Sequence, residues 1–97
     1  MGGAISPPVV LSQPDPQFSE EARRKKIGGS VLVYLQVDRE GNPINVRVVR
    51  GIGYGLDEKA LEAVRQYHFR PAMENGHPVV VEMNVLVNFQ IFHKPQD

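Results

Sequence analysis

Ninety-seven residues, 41% hydrophobic and 23% charged, suit one domain and are too few for two independent cores. Eleven basic and eleven acidic residues leave a formal net charge of +0, without the basic excess that nucleic-acid binding or docking on an anionic membrane draws on. The chain has no cysteine, which excludes disulfides, thiolate nucleophiles and cysteine-bound zinc.

No apolar run approaches the roughly 20 residues that span a bilayer, and there is no signal-peptide pattern. Such a chain is expected in the cytosol or as the soluble piece of a longer protein.

Residues 5–17 carry Pro7, Pro8, Pro14 and Pro16, which favours a linker or a short edge segment. Within it Val9-Val10-Leu11 can add briefly to a sheet. Ser19 then reads as the N-cap of a short helix, with Glu20 and Glu21 in its first turn and Arg23, Arg24, Lys25 and Lys26 towards its other end. Gly28-Gly29 is expected to stop it, and Phe18, Ala22 and Ile27 to hold it by packing.

Strict alternation follows. Val31, Val33, Leu35 and Val37 face one way, while Leu32, Tyr34, Gln36 and Asp38 face the other. Arg39-Glu40-Gly41-Asn42 turns the chain. Ile44, Val46 and Val48 then alternate against Asn45, Arg47 and Val49, which completes a β-hairpin. A second helix is expected from about Leu56 to His68. Its buried face is Ala60, Ala63, Val64 and Tyr67, widened by Leu56 and Leu61. Beyond Pro71, Glu74-Asn75-Gly76 is a strong turn.

The last element carries the functional expectation. From Val79 to Ile91 every odd position is apolar, whereas Val80, Glu82, Asn84, Leu86, Asn88 and Gln90 are mostly polar. One strand packed on one face is expected, extending roughly 40 Å at about 3.3 Å per residue. The hairpin strands are shorter, so the long strand should keep unpaired backbone groups that attract another strand.

Catalytic chemistry finds no support. His68, His77 and His93 lack the i, i+3 or i, i+4 spacing of a metal-ligand pair. The pairs Glu20-Glu21 and Asp57-Glu58 are accounted for by helix dipoles. No serine sits in a nucleophile elbow. Gly51-Ile52-Gly53-Tyr54-Gly55 lacks both the third glycine of a dinucleotide fingerprint and a P-loop lysine, so it reads as a chain-reversing loop. Hence no catalytic, metal or cofactor site is expected. Arg23 to Lys26 reads as a solvated helix end.

In this order the elements resemble the TonB carboxy-terminal domain family, from about Pro14 to Phe92. The resemblance is carried by Gly29-Ser30-Val31, Val37-Asp38-Arg39-Glu40-Gly41, and Gly55-Leu56-Asp57-Glu58-Lys59-Ala60 through Ala63-Val64. Phe69-Arg70-Pro71-Ala72, Asn75-Gly76, Pro78-Val79 and Asn88-Phe89 complete it. Family members usually carry Tyr-Pro before the first helix. Here Phe18-Ser19 keeps the ring, loses the hydroxyl and substitutes an N-cap for the proline.

The resemblance implies a non-enzymatic periplasmic domain. It would be the soluble part of a protein held in the inner membrane through an amino-terminal helix and proline-rich spacer. There it would work with ExbB and ExbD and capture the "TonB box" of outer-membrane TonB-dependent transporters as an added strand, pulling on it with energy from the proton gradient. In family members the polar residues ahead of the Tyr-Pro position contact the receptor; Gln13, Asp15 and Gln17 occupy that stretch here, with Phe18 at the ring position.

The expected architecture is thus α+β: a three-stranded antiparallel sheet with two helices on one face and a short extra N-terminal strand. Residues 1–13 form a linker or edge segment, 14–92 the domain and 93–97 a tail. The expected partner surface is Gln13, Asp15, Gln17, Phe18, Val80, Glu82, Asn84, Leu86, Asn88 and Gln90. A second copy of the chain, pairing through the same edge as a homodimer, is the alternative occupant.

Overall fold

A computed structural model describes residues 5–90. In chain order the elements are β1 (Ile5–Ser6), β2 (Val9–Ser12), α1 (Glu20–Lys25), β3 (Gly29–Val37), β4 (Pro43–Arg50), α2 (Leu56–Arg65), β5 (His68–Arg70), β6 (Ala72–Glu74), β7 (His77–Val79) and β8 (Val81–Phe89). The main sheet is antiparallel in the order β4-β3-β8. Its inner face presents Val31, Val33, Leu35 and Val37, all fully buried with Ala22 of α1 and Leu56, Ala60 and Val64 of α2. The α+β architecture is therefore as expected, with both helices contributing to one core.

Ser19 caps α1: its backbone is extended and its hydroxyl accepts a hydrogen bond from the Ala22 N–H at 3.1 Å. The helix ends at Lys26, not at Gly28-Gly29. Lys26 takes a left-handed conformation (φ 54°), and its N–H bonds the Ala22 and Arg23 carbonyls. A lysine thus closes the helix where the glycines were expected to do so.

The β3–β4 turn is held by Asp38. Its carboxylate accepts from Glu40 N–H at 2.9 Å and Asn42 N–H at 2.8 Å. Gly41, at φ +87°, lies so close to β5 that an added Cβ would stand 1.9 Å from the Phe69 carbonyl oxygen. The Phe69 N–H in turn donates to the Gly41 carbonyl at 2.9 Å.

Strand β4 departs from strict alternation. Its register with β3 slips between the Leu32–Arg50 and Val33–Val48 pairs, and again between Tyr34–Arg47 and Gln36–Ile44. Each slip inserts one extra β4 residue, and Asn45 turns left-handed at φ 52°. The second bulge carries Ile44 out of line with Val46 and Val48, so it is exposed where it was expected to face inward.

Helix α2 stops at Arg65, short of His68. The chain then becomes extended, because His68–Arg70 pairs with β2 (Val10 opposite Phe69) and buries Tyr67 and Phe69 in the core. The expected single strand from Val79 to Ile91 is interrupted at Val80. Residues 77–79 fold back on β6 around Asn75 (φ 54°) and Gly76 (φ 81°), the left-handed pair of a tight hairpin turn. Only Val81–Phe89 joins the main sheet; Ile91, Phe92 and His93 lie outside the described residues. The N-terminal strand is present, yet it pairs with β5, and β1 pairs with β6.

Candidate strand-binding edge

The sheet has two edges, and they differ. β4 carries two bulges and begins with a proline, features that disfavour pairing with another strand. β8 matches β3 in unbroken register from Gly29–Phe89 to Val37–Val81. No described strand pairs with its other side.

The hairpin turn reveals which β8 residues face that open side. Asp38 N–H donates to the Asn42 carbonyl, and Asp38 C=O accepts from Gly41 N–H, each at 3.0 Å. The backbone groups of Asp38 therefore point towards β4. Direction alternates along a regular strand, so Gln36, Tyr34 and Leu32 also point to β4, while Val37, Leu35, Val33 and Val31 point to β8. On β8 the odd residues consequently bond β3. The N–H and C=O groups of Glu82, Asn84, Leu86 and Asn88 are directed to the open edge, about 20 Å from first to last at 3.3 Å per residue.

The side chains of these same residues lie on the uncovered face of the sheet. Leu86 is 55% exposed and stands opposite Leu32. Asn88 accepts a hydrogen bond from the Ser30 hydroxyl at 2.6 Å, and Glu82 from the Tyr34 hydroxyl at 2.6 Å. The Arg47 guanidinium lies 4.5 Å over the Tyr34 ring. Donation to the Glu82 carboxylate raises the Tyr34 pKa above its ordinary value, aided by desolvation and the Glu82 charge and opposed by Gln36 and Arg47.

The far end of the edge meets the segment before α1. Asp15, Pro16 and Phe18 form a groove of about 390 Å³ with Asn88, Phe89 and Gln90. Gln13 to Pro16 also border Leu86 to Asn88 beside Tyr67, whose hydroxyl accepts from the Gln13 side-chain amide at 3.4 Å. The Phe18 ring packs edge-on against Phe89, 5.6 Å between centroids, so it anchors this segment to β8.

Of the expected partner residues, the structure thus brings together Gln13, Asp15, Phe18, Glu82, Asn84, Leu86, Asn88 and Gln90. Gln17 sits elsewhere, beside Lys59 and Glu62 of α2 and the Gln66 that caps its C-terminal end. Val80 is exposed at the β7–β8 junction, outside the paired strand. Sequence reasoning missed the groove wall at Pro16, which had only linker chemistry to mark it. It also missed the Arg47–Tyr34–Glu82 row, although alternation had already placed Tyr34 on the outer face. Among the described residues, no cluster of three or more His, Cys, Asp or Glu side chains is arranged to hold a metal, and no helix is long and apolar enough to cross a membrane.

Residues 14–91 match the family model of the Gram-negative bacterial TonB protein C-terminal. The chain is 31% identical over 86 residues to the protein TonB of Vibrio cholerae serotype O1, covering 88% of this chain and 35% of that protein. To the protein TonB of Xanthomonas campestris pv. campestris it is 31% identical over 77 residues, covering 78% of this chain and 34% of the other. It therefore spans about a third of the length of these relatives. The solution structure of the Pseudomonas aeruginosa TonB C-terminal domain superposes with a TM-score of 0.74 at 20% identity, covering 93% of this chain and 92% of that one. On the family match and the identity to these relatives, the chain belongs to the family of TonB C-terminal domains.

Proposed function

We propose that this domain captures an extended peptide from an outer-membrane TonB-dependent transporter as a fourth strand beside β8. It would then transmit force to that peptide from the periplasm, as part of an inner-membrane-anchored transducer driven through ExbB and ExbD. The observation that carries the reading is the unpaired, bulge-free edge at Glu82–Asn88. In strand addition, backbone bonds supply affinity and alternate side chains supply selection. The groove of Asp15, Pro16 and Phe18 continues this edge and supports a role for the same segment in contacting the receptor. Nothing in the reading requires catalysis, a metal or a cofactor.

The test is a titration of the isotope-labelled domain with a peptide from a transporter amino terminus, followed by backbone amide resonances. Amides of Glu82 to Asn88 and of Asp15 to Phe18 should move together. Perturbation confined to α2 would sink the proposal. Pairing of β8 with a second copy is the competing use of the same edge, and sedimentation across a concentration series separates the two.

A further inference from the structure

We infer that the outer face of β8 reads two side chains of the incoming strand: a basic residue opposite Glu82 and an aliphatic residue opposite Leu86. The inference rests on strand addition at β8 as proposed above and specifies what that edge selects. Glu82 and Leu86 both turn their backbone groups to the open edge, so each has a directly opposed residue on an added strand. Their side chains share the uncovered face. Directly opposed side chains are the pairs through which sheets discriminate.

At the Glu82 end the face is built for a cation. Tyr34 donates its hydroxyl to the Glu82 carboxylate and fixes it in place. Arg47, which pairs with Tyr34 from β4, is engaged over the Tyr34 ring and forms no ion pair with Glu82. Glu82 therefore keeps a positioned negative charge with no cationic partner among the described residues, and β8 itself contains no lysine or arginine.

At Leu86 the face is apolar. Leu86 stands opposite Leu32, is 55% exposed, and faces the Gln13–Pro16 segment across a gap of about 130 Å³. An aliphatic residue on an added strand would extend this row to three side chains. Glu82 and Leu86 are four residues apart, so the two recognised positions on the ligand are also four apart. The aliphatic residue comes first if the strand adds antiparallel, and the basic residue first if it adds parallel.

The inference is tested with a transporter-derived peptide and three variants, changing the residue opposite Glu82 from Lys to Glu or the residue opposite Leu86 from Val to Asn, singly and together. Amide shifts identify the register, and affinities are measured at low and high salt. Each single change should weaken binding roughly 1.4- to 5-fold, the span of one exposed cross-strand pair. The Lys-to-Glu effect should shrink at high salt, and the Val-to-Asn effect should persist. In the domain, Glu82→Lys should invert the charge preference, while Glu82→Gln, which can still accept from Tyr34, should abolish it. If all four peptides perturb the β8 amides with equal affinity, strand addition stands and this selection fails. If none perturbs β8, both fail together.

Discussion

The assignment of backbone direction along β8 makes neighbouring positions respond in opposite ways to proline. Asn84→Pro deletes an N–H that faces the open edge, so no bond of the β3–β8 ladder is lost. Edge positions of this kind tolerate proline, and the folded state should lose about 1 kcal/mol or less. An added strand, however, loses one backbone bond and keeps an unsatisfied carbonyl. At about 1–2 kcal/mol, peptide binding should weaken roughly 5- to 30-fold. Val85→Pro acts one residue further on. The Val85 N–H bonds the Val33 carbonyl inside the sheet, and its loss orphans that carbonyl beside a fully buried side chain. The fold should lose about 2–4 kcal/mol. Urea unfolding of both variants, with calorimetric titration of the peptide into Asn84→Pro, measures each effect. Equal destabilisation by the two prolines would refute the derived alternation. Unchanged peptide affinity in Asn84→Pro would refute addition at this part of the edge.

Gly41→Ala should destabilise by about 2–4 kcal/mol in denaturant titrations, since its methyl meets the Phe69 carbonyl and its φ is +87°. Ser19→Ala removes the α1 cap and should cost about 1 kcal/mol by the same measurement, with Ser19→Asn restoring most of it. The Tyr34–Glu82 contact has a defined pH sign. A tyrosine pKa raised by folding contributes stability that is present below the unfolded value and is lost as pH rises through the folded one. Tyr34 ring resonances should therefore titrate above the ordinary tyrosine range, and Glu82→Gln should bring them back towards it.

What was legible in the sequence is what periodicity encodes. The alternation of β3 and of residues 81–89 was readable because each strand buries one face against the helices. The even positions of β8 could be singled out for the same reason. Less legible were features set by backbone placement across distant segments. The apolar pattern of α2 runs on through Tyr67, yet β2 recruits His68–Arg70 into a ladder and ends the helix early. The alternation from Val79 onward is unbroken, but the Asn75-Gly76 hairpin claims residues 77–79 for another sheet. The bulges of β4 are invisible to a period-2 reading, which placed Ile44 inside. They also leave β8, and not β4, as the edge in regular register. The groove at Asp15, Pro16 and Phe18 depends on a ring contact between residues 71 positions apart in the chain (89 − 18).

An open edge invites a second copy as well as a ligand, and Glu82 weighs against the copy. Two β8 strands meeting antiparallel through their edge-facing residues must oppose even positions to even positions. Glu82 then meets Leu86, Asn88, Asn84 or the other Glu82, according to register, and never a cation. Self-pairing leaves the charge uncompensated in each case, whereas a ligand with a basic residue at that position does not. Leu86→Lys places a lysine opposite Glu82 twice in the symmetric register centred on Asn84. Two exposed pairs at about 0.2–1 kcal/mol each should tighten self-association by roughly 2- to 30-fold at low salt, with the gain falling as salt rises. Equilibrium sedimentation of both proteins decides the matter. A parent domain already fully dimeric at low concentration, and indifferent to Leu86→Lys, would mean that the edge is occupied by its own copy through contacts in which Glu82 has no part.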